Sequence, residues 1–168
     1  MAWYNETITT MGIISKEVYD DGGRNYFIDE FNVDGTKKIK TIEGTTYKVI
    51  AHTDTTTDMQ ALLLESGGQY VIAFRGTASW VDVLVDGVIG LDNINAQYDD
   101  AVAFVQQALD RPEIDENNLI LTGHSLGGIL TQQVGATFHL EGYAFNPYGV
   151  DRLLSMMPNS PLDPLLEV

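Results

Sequence analysis

Residues 118–128 read Asn118-Leu119-Ile120-Leu121-Thr122-Gly123-His124-Ser125-Leu126-Gly127-Gly128, and this stretch decides the fold. Asn118 to Thr122 has the composition of a short buried strand, and a helical pattern follows from Leu126 to about Phe138. Between them lies G-x-S-x-G, with Gly123 and Gly127 flanking Ser125. The glycines have a steric reason: such a serine sits on a strained strand-to-helix turn, where a side chain at either flank would collide with neighbouring backbone. The turn lifts the Ser125 hydroxyl above the sheet and aims the Leu126 N–H at a developing oxyanion. The start of the next helix adds the positive end of its dipole. The alternative is a glycine-rich turn whose serine merely caps the helix.

Working outward, Tyr70-Val71-Ile72-Ala73-Phe74 reads as a second buried strand, followed by Arg75-Gly76-Thr77. An oxyanion hole in folds of this kind takes a second donor from the loop after an earlier strand, and Thr77 offers both its N–H and its hydroxyl. Arg75 is expected to tie this loop down through carboxylates. Tyr47 to His52 and Met59 to Glu65 also read as strands, with Ser66-Gly67-Gly68 as a turn, and Tyr143 to Phe145 as a strand after the elbow helix. Spacing close to helical marks the first ~20 residues through Trp3, Ile8, Met11, Ile14 and Val18, up to Asp20-Asp21-Gly22-Gly23. It marks a segment capped by Asn95 that carries Tyr98, Ala101, Val102, Val105 and Leu109. Shorter helices are expected from Trp80 to about Asp86 and from Val150 to Met157. Residues 24–46 are polar and turn-rich, with Asp34-Gly35 as a hairpin signal. Strands alternating with helices imply an α/β fold, its sheet mostly parallel from Tyr70 onward. The apolar residues crowded between Trp80 and Ile94 read as core, with an acyl-chain pocket or lid as the alternative.

Three segments carry a family likeness. Ala73-Phe74-Arg75-Gly76-Thr77, Gly123-His124-Ser125-Leu126-Gly127-Gly128 and Tyr143-Ala144-Phe145-Asn146-Pro147 resemble the class 3 lipase family, which includes fungal triacylglycerol lipases and bacterial phospholipase A1-like relatives. The resemblance covers roughly residues 47–150. It implies an α/β-hydrolase fold, a mostly parallel sheet flanked by helices. It also implies hydrolysis of carboxylic esters of lipids through an acyl-enzyme on Ser125, with Thr77 and Leu126 forming the oxyanion hole. The expected organisation is one domain: residues 1–46 as an N-terminal helix and turn-rich extension, 47–157 as the hydrolase core, and 158–168 as a Pro-rich tail.

A serine hydrolase also needs a base and an acid that orients it, and in α/β-hydrolases both follow the nucleophile. After Ser125 the one histidine is His139, which the elbow helix carries ~18 Å from its start. His124 points to the other side of the strand end, and His52 precedes the elbow, against the usual order. Asp163, in Leu162-Asp163-Pro164-Leu165, faintly resembles the acid segment of the family. These observations, with the Pro-rich ending, lead to the expectation that the domain is C-terminally incomplete within these 168 residues and that the base lies beyond Val168. A non-catalytic lipid- or protein-binding module on a hydrolase scaffold is the alternative.

Composition limits the partners. A net charge of -15, from 24 acidic and 9 basic residues, lacks the basic footprint that nucleic acid requires and repels anionic membranes at low salt. No apolar run approaches the ~20 residues of a spanning helix. The first residues lack the basic and apolar regions of a secretory signal, which leaves the compartment open, export by a non-classical route included. Without cysteine there is no thiolate chemistry or disulfide. No G-x-G-x-x-G, P-loop or zinc spacing occurs, so neither a cofactor nor a metal is expected. Asp20-Asp21, Asp29-Glu30 and Asp34 lack the spacing of a calcium loop and read as solvated turn carboxylates.

Overall fold

Tight turns and long crossovers divide the sheet into two halves of opposite character. A computed structural model of the chain describes residues 2–19, 39–76 and 88–145. In chain order the elements are helix α1 (Ala2–Tyr19), strands β1 (Ile39–Ile42), β2 (Thr45–Asp54), β3 (Gln60–Ser66) and β4 (Gln69–Phe74), helix α2 (Val88–Leu109), strand β5 (Leu119–His124), helix α3 (Leu126–Phe138) and strand β6 (Glu141–Phe145). The six strands lie side by side in sequence order. β1 to β4 pair antiparallel, whereas β4–β5 and β5–β6 pair parallel, with Phe74 level with Gly123 and Gly123 with Ala144.

The three strands expected as parallel neighbours are therefore neighbours, but the sheet as a whole is mixed rather than mostly parallel. The reason is connection length. Glu43-Gly44 and Gly67-Gly68 reverse the chain within two residues, all four at positive φ, and such turns can only join antiparallel strands. A parallel neighbour needs a crossover of a dozen or more residues. That length is available only before β5 and β6, where α2 and α3 make the return.

Both faces of the sheet are covered, which explains why β3, β4 and β5 read as nearly continuous apolar runs. On one face Leu63, Ile72, Phe74, Leu119 and Leu121 pack against Ala101, Phe104 and Val105 of α2 and Leu130 and Val134 of α3. On the other, Leu62, Leu64, Val71 and Ala73 meet Met11, Ile14 and Val18 of α1. Thr122, wholly buried on the α1 face, has its hydroxyl at 3.2 Å from Met11 O and 3.1 Å from Tyr143 O, joining α1 and β6 to the strand beneath the elbow.

Two local readings need correction. β1 lies in the stretch read as turn-rich, because its turn is Glu43-Gly44 rather than the Asn-Gly or Asp-Gly that marks a hairpin. Helix α2 begins at Val88, so Asn95 is an interior residue and not its cap; Ile94 behind it is core. The expected hairpin at Asp34-Gly35, the helices at Trp80–Asp86 and Val150–Met157, and the carboxylates at 20–34 lie outside the described residues.

Helix α1 is held by its apolar stripe, with Ile14 completely buried. Ile14→Ala should lower unfolding free energy by about 2–5 kcal/mol, as measured by urea denaturation.

Candidate active site

Ser125 and the contacts that support it lie at one edge of the sheet, the carboxyl end of β4, β5 and β6. In open α/β sheets this edge is where ligands bind. Ser125 forms the junction between β5 and α3, and its backbone works in both elements. Its N–H donates to Phe145 O at 3.0 Å, extending the β5–β6 ladder, while its carbonyl accepts from Gly128 N at 2.9 Å and Ile129 N at 3.2 Å. Serving both at once forces φ 57°, ψ −122°, outside the regions that L-residues ordinarily occupy. The Ser125 side chain makes no capping hydrogen bond, which weighs against the reading of a mere helix cap. The residue is 6% exposed. As the first helical residue, Leu126 has an N–H with no carbonyl one turn back to receive it, at the positive end of α3.

The flanking glycines are explained by the atoms around them. A Cβ on Gly123 would overlap Gly127 O and stand 2.8 Å from Thr131 Oγ1. A Cβ on Gly127 would overlap Phe74 O and stand 3.1 Å from Arg75 C. Thr131 Oγ1 also donates to Gly127 O at 2.8 Å, holding the first turn of α3 in place.

Beside the elbow, β4 ends at Phe74, and Arg75 is anchored at once. Arg75 N–H donates to Gln60 O at 2.9 Å and its Nη1 to Gln60 Oε1 at 2.6 Å. Gln60 Nε2 donates in turn to Asp54 Oδ1 at 3.2 Å. From the sequence Arg75 is expected to bind carboxylates; here its Nη1 is held by the Gln60 amide, whose other end donates to the Asp54 carboxylate. The β2–β3 connection at the same edge is clamped to α2, with Thr57 Oγ1 donating to Asp100 Oδ2 at 2.6 Å and Gln97 Nε2 to Thr57 O at 2.9 Å.

Of the residues singled out from sequence, the structure brings together Ser125 and Leu126. Thr77 and Asp163 lie outside the described residues, although Arg75 and Gly76, immediately before Thr77, are described. His52 is an exposed residue of β2, level with Leu62, Ala73 and Thr122 but three strand spacings from β5, about 14 Å. His139 is the left-handed C-cap of α3, about 20 Å from the elbow along thirteen residues of helix. Strand alternation puts His124, level with Phe145, on the same face as Thr122, the face covered by α1. The roles of Gln60 and Thr122 are not legible in the sequence: each is a polar residue in a largely apolar strand, and the pattern that reveals the strand says nothing of a polar partner.

Residues 10–161 match the phospholipase-like profile described as the Tle-like phospholipase domain. The chain belongs to this phospholipase-like family. Among curated proteins it is similar to an extracellular phospholipase A1 of Serratia liquefaciens, with 34% identity over 110 residues, covering 58% of this chain and 33% of that protein. The chain therefore spans about a third of the length of the curated relative it matches. No solved structure matches. The resemblance read from the three motifs is correct at the level of a phospholipase or lipase family, while the family that matches is the Tle-like one rather than specifically the class 3 lipases. Among the described residues no helix is long and apolar enough to cross a membrane.

The strained turn leads to an expectation of opposite signs for stability. Ser125→Gly should raise the unfolding free energy by about 1 kcal/mol by releasing the positive-φ strain. Gly127→Ala should lower it by at least about 1–3 kcal/mol, because the new methyl meets the Phe74 backbone. Thermal unfolding of the two variants beside the wild type checks both signs.

Proposed function

We propose that the protein is a lipolytic serine esterase that hydrolyses carboxylic esters of lipids, with phospholipids as the substrate class. The observation that carries this reading is Ser125. It stands at positive φ between a central parallel strand and a helix, and its hydroxyl is not spent on capping. Membership of a phospholipase-like family and similarity to a phospholipase A1 supply the substrate class. The order of strand, loop, strand, elbow and helix also supports an α/β-hydrolase arrangement of this half of the sheet.

In the proposed reaction Ser125 Oγ attacks the ester carbonyl, and its proton passes to a histidine acting as base. The carbonyl oxygen becomes an oxyanion held by Leu126 N–H and by Thr77. Thr77 lies three residues beyond Phe74, whose carbonyl already touches Gly127, so the chain keeps it within roughly 10 Å of that contact. The tetrahedral intermediate collapses, the lysolipid alcohol leaves with the proton, and water then hydrolyses the acyl-enzyme to a fatty acid. The placements of His52, His139 and His124 support a base from outside these 168 residues, with Asp163 as the candidate acid within them. Each oxyanion donor contributes about 3–4 kcal/mol in the transition state.

Hydrolysis of phospholipid vesicles by the full gene product tests the reading. Ser125→Ala should reduce turnover by at least ~10³-fold, and Thr77→Val should lower kcat by about 10²-fold with little change in KM. A fluorophosphonate should label the wild type on Ser125. If it labels no serine in a protein that binds lipid, the non-catalytic module replaces the enzyme.

A further inference from the structure

We infer that Gln60 is a positioning residue for the elbow, holding the end of β4 at the height the Ser125 turn requires. The inference rests on the proposed role of Ser125 for its catalytic consequence, although the contacts that carry it are independent of that role.

Gln60 begins β3 and is 6% exposed. Its backbone and its side chain grip the same neighbour. The carbonyl receives Arg75 N–H, which extends the β3–β4 ladder one residue past the Ala61–Phe74 pair. The side-chain oxygen receives Arg75 Nη1 at 2.6 Å, the short distance of a hydrogen bond to a charged donor. The amide nitrogen is held in turn by Asp54 Oδ1 on β2. A ladder bond alone fixes the spacing of two strands. The second bond, through the side chain, also fixes the direction in which the backbone leaves the sheet after Phe74.

That direction matters because of Gly127. The Phe74 carbonyl and the Arg75 carbonyl carbon fill the space where a Gly127 Cβ would stand. The first turn of α3 therefore rests directly on the backbone that Gln60 clamps, with no side chain between them to absorb a shift. Gly127 in turn packs its carbonyl against Gly123, the other flank of Ser125. The contacts run from Asp54 through Gln60 and Arg75 to Gly127, and end on the two residues, Ser125 and Leu126, proposed to attack the ester and hold its oxyanion. Loosening Gln60 should let the Leu126 amide and the loop leading to Thr77 drift relative to each other. Donors in an oxyanion hole act only within narrow distances, so the loss should fall on kcat rather than KM.

The test compares Gln60→Met, which keeps the volume and removes both hydrogen-bonding groups, with the double variant Gln60→Glu/Asp54→Asn. The double variant exchanges donor and acceptor between the two side chains, keeps their summed charge and retains an acceptor for Arg75. Two readouts are taken on the full gene product: the rate of fluorophosphonate labelling together with kcat and KM on phospholipid vesicles, and hydrogen exchange across residues 123–131. Gln60→Met should label at least tenfold more slowly, lose kcat with KM within about twofold, and exchange faster at 126–128. The double variant should return to within about threefold of wild type on both readouts. Wild-type labelling and exchange in Gln60→Met would overturn the inference. So would a loss that the double variant fails to recover while unfolding at the wild-type temperature. Should Gln60→Met not fold, Gln60→Glu alone, which sets two carboxylates against each other, takes its place and must be slower than the double variant. If the wild type is not labelled at all, the proposed nucleophile fails, and the exchange measurement decides the role of Gln60 by itself.

Discussion

Phe74, Gly123 and Gly127 bring three stretches of backbone into direct contact at the carboxyl edge of the sheet. Side chains normally keep helices and sheets about 10 Å apart, and here that spacer is absent by necessity. The approach makes Ser125 serve as the last residue of a strand and the capping residue of a helix, which is the origin of its strained backbone. Strain of this size, of order 1–3 kcal/mol, persists only where the surroundings over-determine it. The surroundings here are the β4–β5–β6 ladder below, the first turn of α3 above and the Gln60–Arg75 clamp at the side.

The two halves of the sheet have different tasks. The antiparallel half, β1 to β4, is built from short turns and brings Asp54, Gln60 and Arg75 together by register alone. The parallel half is built from long crossovers, so its strands all end at the same edge of the sheet, and Ser125 follows the middle one. Strand β4 belongs to both halves. Its last residue is therefore the place where hairpin geometry can act on elbow geometry.

Much of this was legible in the residues themselves. The elbow could be read because its glycines answer to a steric rule that few other contexts impose. The strands read as 70–74, 118–122 and 143–145 could be placed as neighbours because apolar runs separated by helical spacing leave one pairing. Parallel pairing from Tyr70 onward and a turn at Gly67-Gly68 could both be read; a mostly parallel sheet does not hold for the whole, because the strands before Tyr70 are joined by short turns. β1 escaped notice because Glu43-Gly44 lacks the residues that favour such a turn. The roles of Gln60 and Thr122 could not be read at all: hydrogen bonds from Arg75 to Gln60 and from Thr122 to Met11 span 15 and 111 positions, and local patterning carries no record of such partners.

That last separation also bears on how the chain comes to be folded during synthesis. Helix α1 is translated well before the strand beneath it: Thr122, within β5, follows Met11 by 111 residues. At ribosomal speeds of 5–20 residues per second, the wait lasts roughly 5–20 s. Until β1 to β4 emerge, Met11, Ile14 and Val18 have no sheet to cover them, and after that they have only the half that carries Ile42, Leu62, Leu64, Val71 and Ala73. The nascent chain therefore carries a partly covered apolar helix for far longer than a helix takes to form, and it is a natural client for a chaperone that shields such surfaces until β5 and β6 emerge.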